Sequence, residues 1–363
     1  MLPELTERLR DRWAEMDLCP RPTRIDYLNI AGSVEGGTTT FLGFAPGQDQ
    51  PLLAVKVQRR RGPSSRLETE RDVLGTIALA GPRYQRAVPR VLFCDGVANH
   101  AVLVTTIVPG TTLPLHRAAD GVDLEGARPA LESAARWMGD LTVVTRSRAA
   151  ADRHAALERL ESVAGAFRTW FPLTAAEADG VTTALAAARE VVGGGPVLHH
   201  GDFTRHNILL DPGPGDPAGV HVIDWTFASR VGTPLQDVWF LGVTYALQLR
   251  EEPGLQGFVR SFQRLWCDPA SAYQQWYRAL LHELGRGLDV SSEVLAPLEH
   301  WFLIERAVFE AALVREAAAS GQWSRHTLAL AAEAGVDRAA SAQQQFWIHL
   351  YRSCFAHDVA RAS

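Results

Sequence analysis

The amino-acid sequence predicts an α+β fold in two lobes of unequal size, a small antiparallel sheet with one helix followed by a larger, mainly helical lobe. Three observations predict it. Residues 25 to 58 and 90 to 108 hold short runs in which apolar and polar residues alternate, as in half-buried strands. From residue 126 the chain becomes Ala-rich with apolar positions at helical spacing, and Pro109-Gly110 separates the two regimes. At 363 residues the chain also exceeds what one ordinary core fills.

The elements follow in order. The opening "MLPELTERLRDRW" carries its charges at helical spacing, where a signal peptide would need an apolar run. "IDYLNIAG", "TTFLGFA" and "PLLAVKVQ" read as three strands. Between the first two lies "GSVEGGTTT", a Gly- and hydroxyl-rich turn too long for a two-residue hairpin and able to approach a ligand closely. From Ser64 to Ala80 the positions Leu67, Val73, Leu74, Ile77 and Ala78 fall on one helical face, with Ser64 as N-cap and Gly81-Pro82 as the stop. "RVLFCDG" and "AVLVTTIV" supply the fourth and fifth strands. The first lobe is therefore placed at residues 1–108 and the second at 109–363.

In the second lobe, helices are expected at about 126–148, 152–169 and 174–192. "GGGP" then resets the chain into "LHHGDFTRHNILLD" (198–211), and "VHVIDW" (220–225) pairs with "NILLD" as a hairpin across "PGPGDPAG". From Leu235 onward the pattern is helical again.

Composition narrows the function. A net charge of −5 gives no basic footprint for a nucleic-acid backbone. Cys19, Cys94, Cys267 and Cys354 lie far apart with no CxxC pair, so neither a zinc site nor a disulfide framework is indicated. No apolar run approaches the ~18 residues of a membrane span, and the chain reads as cytoplasmic. Of 36 basic residues, the only lysine is Lys56. Whatever occupies position 56 needs a compact ammonium rather than a planar guanidinium.

Asp202 and Asn207, with Asp224 at the end of a strand, form an oxygen-ligand set for a hard divalent ion. Mg²⁺ takes one or two protein carboxylates and leaves its other positions to phosphate and water. Asn207 and Asp224 meet that demand, and Asp202 remains free to orient a hydroxyl. Lys56 on the third strand can aim a point charge at phosphates, and Glu70 on the following helix can hold it there. Glu68 shares that helix; Glu70 is the preferred partner. His200 is expected to brace its loop through hydrogen bonds.

The ordered set "AVK", a helix Glu, a strand running into Pro-Gly, "HGDFTRHN" and "VIDW" resembles the aminoglycoside phosphotransferase and choline kinase-like family of the protein-kinase-like fold, over most of residues 25 to 245. The resemblance implies Asp202 as catalytic base, Asn207 and Asp224 as Mg²⁺ ligands, and Lys56 with Glu70 as the phosphate-positioning pair. It implies that "GSVEGGTTT" covers the ATP phosphates, with Ser33 and Thr38 to Thr40 as donors in place of the kinase G-x-G-x-x-G. The backbone near Ile107 and Val108 would accept adenine, and Asp237 would brace the catalytic loop. The implied activity is ATP-dependent phosphorylation of a hydroxyl on a small molecule, such as an aminoglycoside, a sugar or another natural product. A peptide Ser or Thr acceptor and a nucleotide-binding scaffold are the alternatives. Residues 251–363 carry 13 acids against 10 arginines, which does not demand a cationic acceptor. The tryptophans there, Trp266, Trp276, Trp301, Trp323 and Trp347, read as core.

Overall fold

The computed structural model describes residues 1–18, 20–33, 37–118, 121–211, 219–320 and 342–362. Cys19, Glu35 and Trp323, and the centre of the loop expected over phosphates, lie outside them.

The first lobe runs α1 (Leu2–Asp11), β1 (Asp26–Ser33), β2 (Thr38–Phe44), β3 (Pro51–Arg61), α2 (Ser65–Leu79), α3 (Pro82–Ala87), β4 (Val91–Val97) and β5 (His100–Thr106). Its five strands form one antiparallel sheet in the order β1-β2-β3-β5-β4. Side chains alternate across a strand, so every second residue of β3 faces the same way. Leu53, Val55 and Val57 are buried against Leu5, Leu9, Trp13 and Met16 from the N-terminal segment. Ala54 and Lys56 therefore face the opposite side, which overlooks the cleft. At about 1.5–3 kcal/mol for each fully buried aliphatic side chain, the packing behind the sheet is what fixes which face Lys56 takes.

The expected cap is present: Ser64 Oγ accepts a hydrogen bond from the backbone N–H of Leu67 at 3.4 Å. The stop at Gly81-Pro82 also holds, and Pro82 then starts the short α3. Proline suits a first helical position, where its missing N–H would have no partner.

The larger lobe opens with three two-residue strands, β6 (Thr111–Thr112), β7 (Arg117–Ala118) and β8 (Gly121–Val122). Helices α4 (Leu124–Val144), α5 (Ala150–Trp170) and α6 (Ala175–Gly193) follow within a few residues of their expected bounds. Next come β9 (Val197–His199), β10 (Ile208–Leu210), β11 (Val220–Val222) and β12 (Ser229–Gly232). The chain ends with α7 (Gln236–Gln248), α8 (Gly254–Phe262), α9 (Ala272–Gly287), α10 (Ser292–Ser320) and α11 (Ala342–Ala362). The expected hairpin is β10–β11, with Ile208 opposite Val222, and β6 adds a third strand beside β10. The strand expected through Trp225 stops at Val222, because Asp224 takes φ +61°, outside extended geometry. Trp266, Trp301 and Trp347 are buried in the large core, and Trp276 packs against it. No helix among the described residues is long and apolar enough to cross a membrane.

Candidate active site

The cleft between the lobes collects polar groups from three stretches of chain. From β3, Lys56 Nζ donates to Glu70 Oε1 at 2.6 Å, to Asp224 Oδ1 at 2.6 Å and to Thr226 Oγ1 at 2.8 Å. Burial works against the ammonium, but Glu70 and Asp224 outweigh it and hold Lys56 protonated. Asp224 is likewise held ionised well below the usual carboxylate range; burial opposes this, and the charge and hydrogen bond of Lys56 overcome it. Glu68, two residues from Glu70, is exposed.

The catalytic-loop candidate 199–207 is anchored by hydrogen bonds at His200, Gly201, Asp202 and Asn207. Asp237, in the first turn of α7, accepts from the backbone N–H of His200 at 2.6 Å and of Gly201 at 3.0 Å. His200 is fully buried. Its Nδ1 accepts from the N–H of Asp202 at 3.1 Å, which leaves Nε2–H to donate to the carbonyl of Ile223 at 2.9 Å. Burial pushes this imidazole down to about 4, so it is neutral and braces the loop. Gly201 has φ +80°, and a Cβ there would lie 2.3 Å from the carbonyl oxygen of Phe227. Only glycine fits, which accounts for its presence beside Asp202.

Asn207 Nδ2 donates to both the carbonyl and Oδ2 of Asp202, each at 2.9 Å. The backbone N–H of Ile223 donates to the Asn207 carbonyl at 2.9 Å, which brings Asn207 alongside Asp224. Burial pushes the Asp202 carboxyl up to about 7; Arg306 pulls it down, while Asp224 and Glu310 add to the rise.

The other expected site residues are placed less centrally. Thr38 is buried on β2 and, with Thr40, shares the face of Lys56, whereas Thr39 turns away and accepts from Arg59 Nε at 3.0 Å. Ser33 ends β1 opposite Thr38. Ile107 and Val108 follow β5, with Val108 buried. Gly110, at φ +118°, packs so closely that a Cβ would lie 2.9 Å from the carbonyl oxygen of Leu210.

Two residues escaped the sequence reading. Thr226 Oγ1 touches Lys56, Asp224 and Glu70 together. Arg306 on α10 is buried, donates to the carbonyl of Gly201 at 2.8 Å and to Glu310 at 2.6 Å, and lies over the rings of Phe240 and Phe309. The signal for Arg306 was available: Glu305-Arg306 interrupts the apolar run "WFLIERAVF", and charges inside such a run must find buried partners.

A family model described as the phosphotransferase enzyme family matches residues 46–289, which include Lys56, Glu70, Asp202, Asn207, Asp224 and Thr226. The chain belongs to that family. Solved structures similar to this phosphotransferase include aminoglycoside phosphotransferase APH(3'')-Id of Streptomyces rimosus, 15% identical, with 82% of this chain and 97% of that chain covered and a TM-score of 0.43. Another is the GDP complex of aminoglycoside 2'-phosphotransferase-IIIa, 11% identical, with 98% and 99% covered and a TM-score of 0.46. An aminoglycoside phosphotransferase of Alicyclobacillus acidocaldarius is 13% identical, with 92% and 93% covered and a TM-score of 0.42. No curated protein matches the sequence of this phosphotransferase.

Proposed function

We propose that this phosphotransferase moves the γ-phosphate of ATP to a hydroxyl of a small molecule, with Asp202 as the base and Lys56 as the phosphate contact. The observation that carries the reading is the convergence of Lys56, Glu70, Asp224, Asn207 and Asp202 in one cleft. Each has a task there. Leu42 and Ala54 share the sheet face of Lys56, and on the neighbouring β1 Leu28 and Ile30 are 56% and 50% exposed, an apolar platform suited to an adenine ring. Ile107 and Val108 at the end of β5 would offer that ring backbone hydrogen bonds. Lys56, positioned by Glu70, would reach the phosphates, with Ser33 and Thr38 above them.

Asn207 and Asp224 would hold Mg²⁺. The fit rests on donor chemistry: one carboxylate and one amide oxygen suit an ion that fills its remaining positions from phosphate and water. Among the described residues no cluster of three or more His, Cys, Asp or Glu side chains forms an all-protein cage. When bound, the ion would supply charge neutralisation at the phosphate oxygens. Asp202 then aligns the acceptor hydroxyl and takes its proton late. Its carboxylate is held for that task by the Asn207 amide on one side and by the His200 ring at its backbone.

The test is acceptor-dependent ADP release, measured over a panel of small-molecule alcohols and a panel of Ser/Thr peptides. Turnover confined to peptides would replace the small-molecule reading. In parallel, Asp202→Asn keeps the side chain's shape and removes its charge. Turnover is expected to fall by ~100-fold or more, the range for a lost general base, with ATP affinity little changed. Unaltered turnover would leave Asp202 a structural residue and remove the centre of the mechanism.

A further inference from the structure

The three N–H groups of Lys56 point at three protein oxygens, and the least expected of these belongs to a neutral residue. Thr226 Oγ1 accepts from Lys56 at 2.8 Å, while its own proton has two acceptors within reach: Asp224 Oδ1 at 2.6 Å and Glu70 Oε2 at 3.2 Å. A hydroxyl has one proton, so it serves one carboxylate at a time, and the shorter contact is with Asp224. Thr226 is buried, and Glu70 is 3% exposed, so water is a poor substitute for either bond. Asp224 stands differently: it holds a left-handed backbone conformation and its side chain is 47% exposed, open to the cleft.

We propose that Thr226 is a positioning residue whose hydroxyl turns from Asp224 to Glu70 when Asp224 engages a nucleotide-bound divalent ion. The inference rests on the function proposed above. When Asp224 turns to the ion, its hold on Lys56 and Thr226 is released. The Thr226 proton then goes to Glu70 Oε2, and the oxygen still accepts from Lys56. The buried carboxylate gains Thr226 as a second donor beside Lys56, and the ammonium keeps two acceptors while its third N–H becomes free for phosphate. The proton stays on Oγ1 throughout; only its direction changes. Without the hydroxyl, the same movement leaves Glu70 Oε2 buried without this donor and Lys56 held by Glu70 alone.

Thr226→Val preserves shape and deletes the hydroxyl; Thr226→Ser keeps it. Dissociation constants for ADP are measured by calorimetry on the full chain, with and without Mg²⁺, beside the melting temperature of each variant. The valine variant should bind ADP about 10-fold more weakly with Mg²⁺, as expected for losing a buried hydrogen bond to a charged group, and within about 3-fold of wild type without it. The serine variant should stay within about 3-fold of wild type in both conditions, because its hydroxyl can make the same two bonds. Wild-type affinity in the valine variant overturns the proposal. So does equal weakening with and without Mg²⁺, which would make Thr226 a general support of the fold. If the valine variant does not fold, Thr226→Ala makes the same deletion with less bulk, and a serine variant that loses Mg²⁺-dependent affinity overturns the proposal by itself. A wild-type chain that binds ADP in neither condition overturns the phosphotransfer reading, an outcome seen before any variant is compared.

Discussion

Lys56 is the one lysine among 36 basic residues, and its surroundings explain why arginine does not replace it. Its ammonium sits 2.6 to 2.8 Å from three oxygens, with the side chain 15% exposed. A planar guanidinium is wider and cannot direct three donors from one point. Lys56→Arg is therefore expected to lower kcat/KM by about 10- to 100-fold, the scale of one or two misplaced charged hydrogen bonds; steady-state kinetics would show it, and near-normal values would mean the site tolerates the fork. Asp237 gives a second case. Asp237→Asn leaves one oxygen and one NH₂ before two backbone N–H groups, so one of them faces a donor, at an expected cost of about 1–3 kcal/mol in chemical denaturation. Lys56, Asp202, Asn207 and Asp224 were legible in the sequence because each residue type is tied to a particular chemistry and their order along the chain is unusual. Thr226 was not legible, since a threonine after Asp-Trp carries no signal of its own. Its importance comes from Lys56, 170 positions away in the chain.

At the scale of elements, legibility followed length. The strands of the five-stranded sheet alternate long enough to be read, and α2 announced itself by its cap and its buried stripe Leu67, Val73, Leu74 and Ile77. The pieces β6, β9 and β12 have two to four residues each, too few to establish any period, and they form by pairing with distant chain. Their placement and that of the β10–β11 hairpin nonetheless decide where the loop 199–207 lies, because Ser229 pairs with His199 and Val222 with Ile208 on either side of it. The loop between them depends on Gly201. Gly201→Ala would force a Cβ onto the carbonyl of Phe227 at a left-handed φ. The backbone strain alone is worth roughly 1–2 kcal/mol, so a lowered melting temperature and a loss of turnover larger than the loss of nucleotide affinity are expected. Calorimetry and kinetics on the same preparation would separate the two.

At the scale of the whole molecule, the buried apolar residues among those described fall into two clusters. Val55 and Val57 of β3 belong to the small one, while Val73, Leu74 and Ile77 of α2 belong to the large one, so the Lys56–Glu70 pair ties one buried cluster to the other. Stability should depend on pH through the buried histidines. His200 is held down to about 4 by burial, against about 6.5 in an unfolded chain. Between those values the unfolded state binds more protons, so the contribution of the neutral ring is fully present above pH 6.5 and is lost as pH falls toward 4. Burial shifts His199 in the same direction, whereas Asp237, pushed up to about 6 by burial, works in the opposite sense between about 4 and 6. Comparison with His200→Gln removes these shared contributions: the melting-temperature gap between wild type and variant should be widest near pH 7.5 and narrow steadily toward pH 4.5. A gap independent of pH would mean that His200 titrates normally.

The close packing of Gly110 on Leu210 bears on how the two lobes can move. Immediately after the link between lobes, Thr111 and Thr112 pair with Leu210 and Leu209, and two residues before that strand segment sits Asn207. The link is thus splined to the hairpin that carries a proposed metal ligand. β6 and β10 lie on the same side of residues 107–110, so a rotation about those residues leaves the backbone rungs standing and carries only the five-stranded sheet with it. The seat of Asn207 is thus moored to the larger lobe, and any swing of the sheet changes the reach of Lys56 while Asn207 stays where β6 and the hairpin hold it.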